Sequence, residues 1–349
     1  MRKIRIAQIG VGHDHAVVTF AALRRMTDVF EVVGYAEVPE DDIDFVASKE
    51  HYRDTKWAYE GAKRYTVEEI LSMPDLDAVA IETFDLNLVK YAQMAADRGL
   101  HIQMDKAPGE SAEDFEKLLS TVKAKGLAFN IGYMYRFNPL IRQAFERVKR
   151  GEIGKVYAID TDMSGYSATE KREWLIQFQG GMMQYLGCHL IDLIVRLQGP
   201  PTEIISYNYA TGAAGVQAKD VAFAVLKYPE GFSTVKSSML DCGGYSRRQL
   251  VIHGEKGTIE VRPLEKYEST PSGISTKMRQ YIPEEGWNSV GTLTESGAFD
   301  RYEGMLNEFA KMVRGERSYE VALEEEARIH RCLLTACGIA CDYKKEIQL

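Results

Sequence analysis

Residues Gly180–Asp192 read Gly-Gly-Met-Met-Gln-Tyr-Leu-Gly-Cys-His-Leu-Ile-Asp, which sets an imidazole, a phenol and a carboxylate inside an apolar run. On a helix, Tyr185 and His189 stand four apart and His189 and Asp192 three apart, so the three groups share one side. Such a face can take a proton from a hydroxyl near neutral pH. It also suits a core histidine satisfied by Tyr185 or Asp192, and the run alone leaves both open. Trp174, just upstream, offers either an apolar platform for a ligand or a core ring.

A second concentration lies at the N-terminus. Ile4 to Ile9 reads as a short apolar strand, Gly10-Val11-Gly12 follows, Ala16 to Met26 reads as a helix, and Phe30 to Ala36 as a strand ending in Glu37. This is the order of a dinucleotide-binding unit: the first glycine lets the chain turn, the second lets backbone approach a pyrophosphate, and the helix N-terminus holds its charge. The third glycine is absent; His15 stands there, which puts close packing of helix on strand in question. Glu37 can accept both ribose hydroxyls and repels a 2′-phosphate, which favours NAD over NADP, although a basic residue between 38 and 64 can admit NADP. His13 and His15 are expected to cap the helix or touch cofactor rather than bind metal. Glu40 to Asp44 lacks the glycine and spacing of a calcium loop and reads as solvated.

Strand and helix keep alternating. Thr66-Val67-Glu68-Glu69 is a capping box for a short helix stopped near Pro74. Leu76 to Ile81 is a strand, with Thr83 beyond it as a cofactor contact; Leu86 to Arg98 is a helix ended by Gly99, and Leu100 to Met104 a strand running into Asp105-Lys106. Ser111 caps a helix to Lys125, and Leu127 to Ile131 is a strand. The pattern predicts a doubly wound parallel sheet over 1–131, whose ligands sit at the strands' carboxyl ends, where Lys106 stands. From 132 to 349 it changes to an α/β domain with a large open sheet. Asn138-Pro139 opens a helix to Arg150, Lys155 to Asp162 is a strand, and after Gly199-Pro200 come strands at 203–209, 221–228, 233–240, 249–253 and 258–261. Residues 264–298 read as loop, and helices near 299–314 and 321–342 finish the chain.

Composition bounds the partners. The 349 residues carry 43 Lys plus Arg against 51 Asp plus Glu, a net charge of −8, which opposes general attraction to nucleic acid or anionic membrane and favours a small-molecule partner. No apolar stretch reaches membrane-spanning length, and the N-terminus lacks an apolar leader. Five cysteines without framework spacing suit a reducing cytoplasm. His330, Cys337 and Cys341 would share a face of the last helix, but they lack the second ligand pair of a zinc site and read as packing.

Taken together, Gly10-Val11-Gly12 after the first strand, Asp105-Lys106 where the family shows Glu-Lys-Pro, Tyr135-Arg136-Phe137-Asn138-Pro139, Gly151-Glu152-Ile153-Gly154-Lys155 and the Gly180–Asp192 run resemble the Gfo/Idh/MocA oxidoreductases. The resemblance implies a Rossmann domain, a second domain with an open sheet through which homodimers or homotetramers form, bound NAD(H) or NADP(H), and redox chemistry on a sugar, polyol or glycoside. It implies Lys106 as the active-site lysine and His189 as the active-site histidine. Tyr185 replaces the family's aspartate four residues before that histidine, and Ala107 replaces its proline, so a cis peptide at this corner would precede Pro108 instead.

The expected chemistry is hydride transfer between a carbohydrate or polyol hydroxyl carbon and nicotinamide. His189 serves as base, Lys106 stabilises the oxygen and Tyr185 assists. Asp192 is expected to orient the imidazole, and Arg136 to reach cofactor or substrate or to pair structurally. Two rivals remain open at this level: a redox-neutral sugar elimination or cleavage on tightly held NAD, and a non-catalytic NAD-binding sensor.

Overall fold

The computed structural model describes residues 2–41, 56–268 and 273–349. Contacts divide them into two units: Met1–Met134 with Arg301–Ala327 and Ile347–Leu349, and Tyr135–Asp300 with Arg328–Glu346. The first unit thus includes residues 301–327, which the sequence alone assigns to the second domain. Apolar and polar contacts hold them there: Leu306 and Phe309 are fully buried, and the Tyr319 hydroxyl donates to the Leu127 carbonyl at 2.8 Å.

In the first unit β1 (Ile4–Ile9), β2 (Phe30–Ala36), β3 (Ala78–Ile81), β4 (His101–Met104) and β5 (Phe129–Ile131) pair in the order β2-β1-β3-β4-β5, all parallel. Central β3 is apolar at every position and buried at every position, as a parallel strand covered on both faces must be. The connecting helices are α1 (Ala16–Arg25), α2 (Lys56–Tyr59), α3 (Val67–Leu71), α4 (Leu88–Asp97) and α5 (Ala112–Lys125). Thr66 and Glu69 form the full capping box of α3, and Ser111 accepts the Asp114 amide to cap α5. Despite His15 in the third glycine's place, α1 is buried from Ala16 to Leu23.

The second unit carries α6 (Pro139–Lys149), β6 (Val156–Asp162), α7 (Thr169–Leu175), a π-helical turn over Met183–Gly187, α8 (Cys188–Gln198), β7 (Glu203–Tyr209), β8 (Val221–Tyr228), β9 (Gly231–Ser238), β10 (Gln249–Gly254) and β11 (Gly257–Val261). The segment expected to be loop instead holds β12 (Lys266–Tyr267), β13 (Gly273–Ser275), β14 (Lys277–Tyr281) and β15 (Thr292–Glu295), and β16 (Phe299–Asp300) takes the start of the stretch expected to be helix. These strands are short and polar, so no apolar alternation marks them; β14 and β15 form by pairing onto the edge of a sheet that already exists. The resulting eight-stranded sheet runs β15-β14-β11-β10-β6-β9-β8-β7, antiparallel except between β6 and β9. Ile159, Ala224, Val235, Ile252 and Ile259 fill its buried face, against which α6 and α8 lie.

Two helices close the chain, α9 (Glu303–Val313) and α10 (Leu323–Ala336). The last is shorter than expected because Gly338, at φ +77°, leaves the helical region. Cys341 therefore lies beyond α10, and His330, Cys337 and Cys341 do not share a helical face. No helix among the described residues is long and apolar enough to cross a membrane.

Candidate active site

The carboxyl ends of β1 to β4 bring the Gly10 turn, Glu37, Thr83 and Asp105-Lys106 to one edge of the parallel sheet. Gly10 sits at φ +91°, and a Cβ there would come within 2.4 Å of the Thr83 backbone nitrogen, so glycine lets the turn lie against the end of β3. At Gly12 a Cβ would meet the Asp41 carboxylate at 2.5 Å. Asp41 Oδ2 accepts the Val11 amide at 2.7 Å and the Val38 amide at 3.2 Å, while Oδ1 accepts the Phe84 amide at 3.2 Å. The turn is thus built for an anion beside Gly12, which is the fit a dinucleotide's diphosphate requires.

Around the turn, the described residues of the expected solvated acidic loop are the exposed Glu40 and the half-buried Asp41. Glu40 pairs with Lys90 at 2.5 Å and accepts the Tyr91 hydroxyl at 2.7 Å, and Asp41 is turned inward; residues 42–44 lie outside the described segments. Glu37 pairs with Arg64 at 2.5 Å, and both line a groove of about 720 Å³ together with Lys90 and Tyr91. Arg64 is one of the basic residues of the 38–64 stretch that leaves NADP open.

Beneath the turn lies a buried ionisable cluster. The His13 ring is fully buried; its Nε2 lies 2.9 Å from the Lys106 carbonyl oxygen and 3.4 Å from Asp85, and its Nδ1 3.2 Å from Asp105 and 3.7 Å from Glu82. His15 Nδ1 also meets Asp105, at 3.1 Å. Burial opposes an imidazolium at His13, but the Asp105 and Asp85 carboxylates outweigh it and push the pKa up to about 10. Burial brings His15 down to about 4 against the pull of Asp105. Burial and the Asp105 carboxylate carry Glu82 well above the ordinary range, whereas His13 and His15 overcome burial and hold Asp105 well below it.

His15 makes no side-chain cap at the start of α1, but the buried His13 ring accepts the amide of His15, the residue that opens that helix, at 3.1 Å. His13, His15 and Asp105 present ligand atoms within 4.8 Å of one another. The same atoms are engaged in hydrogen bonds, His13 Nδ1 with the His15 amide at 3.1 Å and His15 Nδ1 with Asp105. Lys106 itself is buried just past β4, and the cis peptide precedes Ala107, one bond earlier than expected.

In the second unit the π-helical turn at Met183–Gly187 places one more residue per turn ahead of α8 than the regular helix assumed from sequence. His189 is buried with the Tyr135 ring edge-on at 5.1 Å. Tyr185 packs against Trp174, at 5.3 Å between ring centroids, and the Lys171 ammonium lies over both rings, 3.5 Å from Trp174 and 4.5 Å from Tyr185. Asp192 does not serve the imidazole as expected. Its carboxylate takes Arg136 Nε at 3.0 and 3.1 Å and the guanidinium NH2 at 2.6 Å, with both side chains at 0% exposure. Arg136 and Asp192 therefore brace α8 rather than line a substrate pocket.

Of the residues the sequence did not single out, Asp41, Arg64, Glu82 and Asp85 carry no motif. Asp105 and Tyr135 belong to the quoted motifs, but no role of their own attaches to them in the sequence.

A parallel sheet with a glycine turn and an acidic β2 terminus, followed by a second α/β unit, is the arrangement of a dinucleotide-binding fold with an appended domain. Residues 141–260 match the family model of the GFO/IDH/MocA C-terminal domain. The uncharacterized oxidoreductase YhhX of Escherichia coli is 23% identical over 58% of this chain and 58% of its own length. A D-xylose 1-dehydrogenase (NADP(+)) of Haloferax volcanii is 25% identical over 76% of this chain and 78% of its own. The solved aldose-aldose oxidoreductase of Caulobacter crescentus shares the fold, with TM-score 0.75, 19% identity and coverage of 97% and 98%. Over residues 141–260 the chain thus resembles the C-terminal domain of the Gfo/Idh/MocA proteins.

Proposed function

We propose that this protein is a cytoplasmic NAD-dependent oxidoreductase acting on a hydroxyl carbon of a carbohydrate or polyol. The observation that carries the proposal is the gathering of the anion-shaped glycine turn, Glu37 and Lys106 at one edge of the parallel sheet. Gly10, Gly12, Thr83 and Glu37 would hold the dinucleotide, which supplies the hydride acceptor or donor when bound. His189 takes the hydroxyl proton, Lys106 stabilises the oxygen that loses it, and Tyr185 with Trp174 offers an aromatic wall to substrate. Glu37 favours NAD by accepting ribose hydroxyls, and its pairing with Arg64 withholds that cation from a 2′-phosphate.

Tyr185 in place of an aspartate supports a second reading, a redox-neutral conversion on retained NAD. The test is nicotinamide absorbance of the protein with NAD or NADP and a panel of sugars, polyols and glycosides. Reduction of NAD by one substrate class is expected. Cofactor that co-purifies and stays unchanged while product forms would favour the redox-neutral reading. His189→Ala is expected to lose roughly 10²–10⁴-fold in turnover while binding NAD unchanged; full turnover would remove His189 from its role.

A further inference from the structure

Backbone amides of a glycine turn need partners when no ligand is there. The Gly10 amide donates to the Ala36 carbonyl at 2.8 Å and the His13 amide to the Glu82 carbonyl at 3.0 Å, so both are committed inside the sheet. The amides of Val11 and Gly12 go instead to a side chain, the Asp41 carboxylate, which also collects Val38 and Phe84. That carboxylate stands where Gly12 leaves room for a phosphate, 2.5 Å from the position of a Cβ. Two neighbours tether the segment that delivers it, Glu37 through Arg64 and Glu40 through Lys90 and Tyr91. Burial raises the Asp41 pKa against these amide donors, so the carboxylate is held at a desolvation cost.

We propose that Asp41 is an internal competitor of the cofactor, its carboxylate occupying the amide cradle that a dinucleotide's diphosphate takes, so that binding requires Asp41 to be displaced. This rests on the dinucleotide reading of the turn. Asp41 then sets cofactor affinity: the binding-competent state is the fraction of molecules in which Asp41 has left the cradle, and apparent affinity falls by that fraction. A carboxylate acting only as a brace for the turn predicts the opposite sign on its removal.

The test is calorimetric titration of wild type, Asp41→Ala and Asp41→Asn with NAD, with inorganic pyrophosphate and with adenosine, with melting curves to establish folding. Both variants are expected to bind NAD and pyrophosphate more tightly, by about tenfold or more where the competent state is populated about a tenth of the time. Adenosine, which carries no phosphate, is expected to be unaffected. Equal or weaker NAD binding by folded variants overturns the proposal. Asp41→Asn keeps the size and one acceptor but loses the charge, so it decides the matter if the alanine variant fails to fold. Tighter pyrophosphate binding with no dinucleotide binding by any form would keep the competitor and sink the dinucleotide reading; no gain for either ligand sinks the competitor.

Discussion

Arg136 and Asp192 show how far a residue's type underdetermines its work. Both were candidates for contact with substrate, and the fold spends them on each other with neither side chain exposed. A buried pair is costly to break and cheap to replace whole, because removing one partner leaves a charge without compensation in a poorly solvating interior. Arg136→Met is therefore expected to cost about 3–5 kcal/mol in urea denaturation, and the double change Arg136→Met with Asp192→Leu to recover most of it. A single variant as stable as wild type, with a raised KM for the hydroxyl substrate, would return Arg136 to the substrate site.

The elements of the first unit are joined beneath the glycine turn by groups on three separate connections: His13 and His15 after β1, Glu82 and Asp85 after β3, and Asp105 after β4. Their proton balance ties the unit's stability to pH. His13 holds its proton up to about 10 when folded but only to 6.5 when unfolded, so its stabilisation is full below 6.5 and is lost as pH rises toward 10. Glu82, raised well above its ordinary value, slopes the same way from about 4.3 upward, the ordinary glutamate value. His15 slopes oppositely: its folded value of about 4 makes stability fall as pH drops from 6.5 toward 4. Asp105, held low, likewise contributes above the ordinary carboxylate range and loses its contribution in acid. Denaturation midpoints are expected to decline from pH 6.5 to 10, and His13→Gln to flatten that limb; an unchanged slope in the variant would place the proton elsewhere.

The elements themselves were legible, and the cluster was not, for physical reasons. Capping chemistry at Thr66 and Ser111 and apolar runs at β1, β3 and β4 are local, so one sequence displays them. Edge strands β14 and β15 exist because a neighbouring strand offers hydrogen bonds, and the cis bond at Ala107, the turn of Asp41 and the Arg136–Asp192 pair depend on tertiary partners that spacing does not encode. Lys106 and His189 could be named beforehand through a family resemblance, while the Glu82 and Asp85 carboxylates gathered around His13 could not.

At the scale of the molecule the eight-stranded sheet poses a question of coverage. Its pairing puts Tyr207 opposite Phe223, Val225 opposite Thr234 and Lys227 opposite Phe232, so these side chains share the face away from Ile159, Ala224 and Val235. Phe232 is 53% exposed and Tyr207 45%, and charged pairs Lys236–Asp162 and Lys227–Glu203 lie among them. Apolar rings set among charges make an exposed face suited to a second copy of itself, since a twofold interface must complement itself. We propose that homodimers or homotetramers form through this face, which an antiparallel sheet covered on one side leaves open. Light scattering on a sizing column is expected to give an oligomer for wild type and a monomer for Phe232→Glu with Tyr207→Glu, because the added carboxylates stay solvated in the monomer and are buried unpaired in the assembly. The double variant should keep the wild-type melting behaviour of its first unit. An oligomer that survives both changes would place the interface elsewhere on the chain.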